Sequence, residues 1–90
     1  MINPKFEIEI LSPEGIFFCG EAEFLEFTSV TGEMGVYKNH VPLTTILEPC
    51  IFKIYQDGRV KRASISDGII QIQGDKIVVL AQDAKWEIEK

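Results

Sequence analysis

The stretch "CIFKIYQDGRVKRASIS", Cys50 to Ser66, decides the fold. Two runs that alternate apolar with polar residues, "CIFKIY" and "RVKRASIS", flank the pair Asp57-Gly58. Alternation with period two puts successive side chains on opposite faces of a strand. An Asp-Gly pair between two such runs supplies residues that tolerate positive φ, which a tight hairpin turn demands. The stretch therefore predicts a β-hairpin, and the rest of the chain repeats its logic.

Upstream, "KFEIEIL" alternates Phe6, Ile8 and Ile10 against Lys5, Glu7 and Glu9, a half-buried strand with one wet face. "SPEG" then turns, with Pro13 restricting φ and Gly15 permitting the opposite sign. "GIFFCG" is a short apolar run. "EAEFLEFTSV" is a longer one that slips at the adjacent Phe24 and Leu25, the mark of a bulge or of a crossing between sheets. Downstream, "SDG" and "QGDK" bracket "IIQIQ", and "KIVVLA" closes the series. Short strands punctuated at roughly 8–12-residue spacing predict an antiparallel sandwich or barrel. Only "AQDAKWEIEK" carries a helical signal, with Asp83 as N-cap and Ala84 and Ile88 on one face. The division expected is a sandwich over residues 1–84 and a tail, or the start of a helical region, over 85–90.

Ninety residues make one domain, and 46% hydrophobic with 26% charged residues is a globular composition. No apolar run approaches the roughly 18 residues of a membrane span, and "MINPKFEIEI" has no signal-peptide core, which predicts a soluble chain. A net charge of −5 with scattered Lys and Arg argues against nucleic acid. The densest basic group, Arg59 to Arg62, reads as a solvated strand edge. Cys19 and Cys50 read as free thiols acting as small hydrophobes, and with His40 they match no zinc spacing. No cofactor or metal is expected.

Nucleophilic catalysis would need His40 held against Cys19, Cys50, Thr44 or Thr45, with a third group orienting it, and the spacing supports none of these. Glu7/Glu9 and Glu87/Glu89 stand two apart, which on a strand is one solvated face. "GEMG" lacks the Lys-Ser/Thr and the helix of a phosphate loop. A binding or assembly module is left, and its sharpest feature is "GEMGVYKNHVPLTTILEPC", Gly32 to Cys50. Gly32 and Gly35 permit turns around Glu33 and Met34, while Pro42 and Pro49 hold Val41 and Glu48 extended. "LTTIL" is short and β-branched enough for another strand. A rigid, partly apolar loop of this kind suits a contact surface.

At these residues the sequence resembles the epsilon subunit of rotary F-type ATP synthases (delta in mitochondria). "FEIEILSPEGIFFCGEAEF" is similar to that family's opening strand and turn. "GEMGVYKNHVPLTTILEPC" is similar to its Gly-Glu-Leu-Gly stretch with the His and Pro that follow, and "SISDGIIQIQGDKIVVLAQDA" to its closing strands. The resemblance implies an all-β sandwich of two five-stranded antiparallel sheets, about ten short strands. It also implies a non-catalytic part of the central stalk, binding the gamma subunit and touching the polar loops of the membrane c-ring. Such a subunit lies peripherally on the cytoplasmic side of the cell membrane. Glu33, Met34 and Gly35 match the family loop facing the c-ring. His40, Val41, Pro42, Leu43 and Thr45 match the segment toward gamma, with His40 a shape element and not a base.

The departures are specific. Lys38-Asn39 stands where the family has Pro-Gly, Cys50 replaces a Gly, Asp67 replaces the first of two Gly residues, and Val30 comes near a loop tip. Asn39 is the best non-Gly substitute for a left-handed turn residue. No match to the family's carboxy-terminal helical hairpin follows, so its inhibitory motion and its ATP site are not carried over. A sandwich without the hairpin is expected to expose a patch built from Trp86, Ile88 and the run Ile77 to Leu80, and so to self-associate weakly in isolation. The alternative reading is a free-standing β-sandwich interaction domain.

Overall fold

A computed structural model describes residues 4–87. The alternating runs become ten strands: β1 (Phe6–Ser12), β2 (Gly15–Ala22), β3 (Phe24–Ser29), β4 (Gly32–Val36), β5 (His40–Leu47), β6 (Cys50–Gln56), β7 (Arg59–Ile65), β8 (Gly68–Gly74), β9 (Lys76–Ala81) and β10 (Ala84–Trp86). Among the described residues there is no helix, and hence none long and apolar enough to cross a membrane.

Two five-stranded sheets, β5-β8-β9-β1-β2 and β4-β3-β6-β7-β10, meet at a single residue pair, Ser29 opposite Leu47. Beside it the Val30 N–H donates to the Ile46 carbonyl and the Glu48 N–H to the Thr28 carbonyl, each at 3.0 Å. Ser29 is buried, and its hydroxyl is satisfied by Thr31 Oγ1 at 2.8 Å and the Gly32 carbonyl at 3.2 Å. The slip at Phe24-Leu25 is a crossing: β2 belongs to the first sheet and β3 to the second. The bulge lies earlier, where the register between β1 and β2 shifts past Ile10 and leaves Phe17 as the extra residue.

The predicted hairpin is present. Gln56 pairs with Arg59, and Asp57 and Gly58 adopt φ of 47° and 77°, the two positive values that a two-residue turn between twisted strands requires. One pairing departs from the antiparallel expectation. β1 and β9 run parallel, from Glu7 opposite Lys76 to Leu11 opposite Leu80. No short turn joins these two strands, so nothing local dictates their relative direction; the whole intervening sandwich is their connection.

The inward residues of both sheets form one core, with Phe27 and Phe52 stacked at 5.2 Å between ring centroids. Gly68, read from sequence as half of a turn, opens β8, and its need is space. A Cβ there would sit 2.2 Å from the Leu80 carbonyl oxygen of β9.

Two expectations at the carboxy-terminal end are corrected. "DAKW" does not start a helix with Asp83 as cap; β10 pairs antiparallel with the edge of β7, Ala84 with Ile65 and Trp86 with Ala63. Nor do Trp86 and the Ile77 to Leu80 run make one bare patch. Ile77 and Val79 are core residues and Val78 is half-buried; only Leu80, 50% exposed, and Trp86, 40% exposed, remain open, and Ile88 lies outside the described residues. Trp86 closes the seam between the two ends of the ladder, stacking on Phe17 at 4.6 Å and meeting Phe18 edge-on at 5.6 Å. The Lys61 ammonium lies 5.2 Å from the Phe18 ring centroid and 5.9 Å from that of Trp86. These contacts outweigh the helical preference of a short segment, which is marginal at such lengths.

Candidate interaction surface

The sequence placed Glu33, Met34 and Gly35 on a turn; they lie instead within β4, the outer strand of the second sheet. The turn is Val30-Thr31, just before. Glu33 is exposed and stands opposite Thr28, while Met34 points inward and packs against the core. Gly35 lies under the Phe24 ring, whose Cζ would be 2.7 Å from a Cβ at that position. Its small size therefore serves the aromatic packing around it. Phe24 in turn packs, rings tilted, against Tyr37 at 4.4 Å and Tyr55 at 5.3 Å between centroids. The Tyr55 hydroxyl donates to the Glu26 carboxylate, and this bond holds the tyrosine's pKa above its usual value. Glu26, Thr28, Glu33 and Lys53 border a shallow open cleft over this face.

The Phe24–Tyr37 contact fixes the start of the connection from β4 to β5. Asn39 follows with φ of 63°, the left-handed conformation that asparagine adopts more readily than other non-glycine residues. The Nδ1–H of His40 donates to the Val41 carbonyl at 2.8 Å, so the ring braces its own backbone. The result is an ordered projection that leaves Val41 71% exposed. The five residues read toward one partner do not share a face. An extra residue between His40 and Leu43 shifts the register on β8. Beyond it Leu43 and Thr45 pair with the buried Ile72 and Ile70 and so share their side of the sheet, Leu43 still exposed near the strand's end and Thr45 half-buried.

A further surface was missed in the sequence. On the outside of the first sheet, Ile46 pairs with Ile69, Ile69 with Leu80, Leu80 with Leu11, and Leu11 with Ile16. One apolar side chain per strand stands in a row across all five strands. Ile16 is 67% exposed, Ile46 53%, Ile69 46% and Leu80 50%, and Leu11 is half-buried. A signal was present: each strand carries an adjacent apolar pair (Ile10-Leu11, Ile16-Phe17, Ile46-Leu47, Ile69-Ile70, Val79-Leu80), of which alternation can bury only one.

Among the described residues no group of three or more His, Cys, Asp or Glu side chains could hold a metal. Cys19 is an exposed free thiol on β2. Cys50 is half-buried and accepts a 3.5 Å hydrogen bond from the Thr28 N–H; burial pushes its pKa up, against the pull of that bond.

The β-sandwich domain of the ATP synthase delta/epsilon chain is a family whose sequence model matches residues 5–87. The chain belongs to this family. An ATP synthase epsilon chain of Caldanaerobacter subterraneus subsp. tengcongensis is 36% identical over 89 residues, covering 98% of this chain and 64% of that one. The epsilon chain of Ruminococcus albus is 39% identical over 85 residues, covering 93% of this chain and 63% of its own length. The chain thus spans a little under two thirds of these epsilon relatives. A chain in the structure of the Euglena gracilis mitochondrial ATP synthase, OSCP/F1/c-ring, shares the fold with a TM-score of 0.86 at 19% identity, covering 99% of this chain and 59% of that one. One in the central stalk/c-ring structure of the Tetrahymena thermophila enzyme gives 0.76 at 12% identity, over 94% and 69%. At those identities the likeness is one of fold. In this delta/epsilon sandwich Asn39 adopts the left-handed conformation that glycine takes most easily.

Proposed function

We propose that the chain is a non-catalytic central-stalk subunit of a rotary F-type ATP synthase. It binds the gamma subunit and meets the polar loops of the c-ring, so that ion-driven ring rotation passes to gamma. No cofactor takes part. Its gamma-side segment is His40, Val41, Pro42, Leu43 and Thr45, and its ring-side residues are Glu33, Met34 and Gly35. The complex holds it peripherally on the cytoplasmic side of the cell membrane.

The observation that carries this reading is the match of the family's sandwich domain to residues 5–87. The braced projection around Asn39 and His40 supports it, since an ordered contact loop loses little entropy on binding. Alone, the exposed apolar side chains favour weak self-association at millimolar concentration, with gamma as competitor. Co-expression of the tagged chain with gamma and c subunits, followed by affinity capture in mild detergent, tests the proposal. Both subunits are expected to be retained. Capture of neither would overturn it and leave a free-standing interaction domain.

A further inference from the structure

We infer that β10 is a latch: it leaves the edge of β7 as one unit and opens the seam while both sheets stay folded. The inference does not depend on the stalk reading. Among the ten described strands β10 alone gives the core no buried side chain; Ala84 is half-buried, and Lys85 and Trp86 are exposed. The other nine each bury at least one residue, so the core persists without it. Its sequence also pulls away from a strand. Asp83 is a helix N-cap residue, and alanine and lysine are poor strand formers. A local preference at odds with the fold marks a segment of low local stability.

Two clamps hold the strand, one at each end. At its start the Asp83 N–H donates to Ser66 Oγ at 2.8 Å, and the Ser66 N–H donates to the Asp83 carbonyl at 3.0 Å. At its end the Glu87 N–H donates to the Arg62 carbonyl at 2.9 Å. There Trp86 also rests on Phe17 and Phe18, with the Lys61 ammonium over the Trp86 and Phe18 rings. At the usual strand rise the clamps stand about 13 Å apart, with the three residues of β10 between them. So few ladder bonds cannot offset the ordering of the backbone unless both clamps are closed. The clamps therefore open together, unlike a frayed end, which opens inward one residue at a time. Opening bares the β7 edge from Ala63 to Ile65 and the rings of Phe17 and Phe18. A contact that draws Trp86 off those rings thus switches the seam open without unfolding either sheet.

Native-state amide hydrogen exchange on the full chain tests this. The Ser66 and Glu87 amides read the two clamps, and the Phe52 and Ile54 amides of β6, flanked by β3 and β7, read the core. The clamp amides are expected to share one protection factor, about a hundredfold or more below that of the core. Trp86→Ala is expected to lower protection at Ser66 and Glu87 by the same factor, about tenfold. Trp86→Phe, which keeps a ring, should lower both about threefold and serves if the alanine variant does not fold. Ile70→Val, in the core, should lower protection of the core amides about threefold and leave both clamp amides unchanged. Loss of protection at Glu87 alone in the Trp86 variants would mean simple fraying and overturn the latch. Clamp amides that follow the core amides in Ile70→Val would mean that β10 opens only with the whole sandwich, and would overturn it too.

Discussion

Phe17 and Trp86 stack across the seam of the sandwich, their centroids 4.6 Å apart and their planes 30° from parallel. The contact joins β2 to β10, the two ends of the strand ladder, which share no ladder hydrogen bonds. Trp86→Ala is expected to cost about 1–3 kcal/mol of stability, and Phe17→Ala a similar amount. The double variant should cost less than the sum, with a coupling of about 0.5–1.5 kcal/mol. Urea unfolding of the four proteins measures this, and a coupling of zero would mean the rings touch without closing the seam.

Gly68→Ala should be among the more damaging small substitutions. The added methyl would meet the Leu80 carbonyl at 2.2 Å, and backbone in a central strand cannot swing away as a side chain can. Overpacking of this kind costs about 1–3 kcal/mol. A variant with an unchanged urea midpoint would show that β9 gives way freely.

Asn39 separates conformation from chemistry. With φ of 63°, Asn39→Gly should change stability by no more than about 0.5 kcal/mol, whereas Asn39→Val should cost about 1–2 kcal/mol. Thermal melting distinguishes them, and equal melting temperatures for Gly and Val variants would contradict a left-handed residue there.

Glu33, exposed on β4, should act at the ring through charge and little else. Exposed pairs contribute about 0–1 kcal/mol, so Glu33→Gln should weaken coupling slightly, while Glu33→Lys adds repulsion and should weaken it more. Ion-driven ATP synthesis in membranes reconstituted with each variant reads this out at low salt. Full activity of Glu33→Lys would remove Glu33 from the ring contact.

The Tyr55–Glu26 hydrogen bond has a pH signature. It raises the tyrosine's pKa in the folded chain, so its contribution is complete below a tyrosine's ordinary value near 10. That contribution is lost as pH rises through the folded value, because the unfolded chain then binds fewer protons than the folded one. Lys5, raised by its 2.9 Å pairing with Asp57, loses its contribution in the same direction at higher pH. Tyr55→Phe should therefore be less stable than the parent at pH 8 and approach it above pH 10. Parallel stability curves for the two proteins across that range would rule the linkage out.

Much of this was legible in local chemistry. Turns at Pro13-Glu14, Asp57-Gly58 and Gly74-Asp75 each announced themselves through Pro, Gly or Asp between alternating runs, and each is a hairpin here. Alternation named Phe6, Ile8 and Ile10 as core, and they are buried. Glu33 was misplaced because Gly32 and Gly35 look alike in sequence. One closes a turn with φ of 118°, and the other makes room for the ring of Phe24 on the neighbouring strand β3.

The sequence by itself determined the strand segments other than β4 and β10, which face of the alternating runs is buried and where the Pro-, Gly- and Asp-marked turns fall, because these depend on side-chain period and on φ within a few residues. Tertiary structure alone decided the parallel pairing of β1 with β9, the strand at Ala84–Trp86 and the Ser29–Leu47 junction. It also aligned five separate apolar doublets into one exposed rib. Those features join residues distant along the chain, and their energies come from contacts that exist only after the sheets have packed. A short terminal segment such as "AKW" has too weak a local preference to resist an unpaired strand edge and two phenylalanine rings.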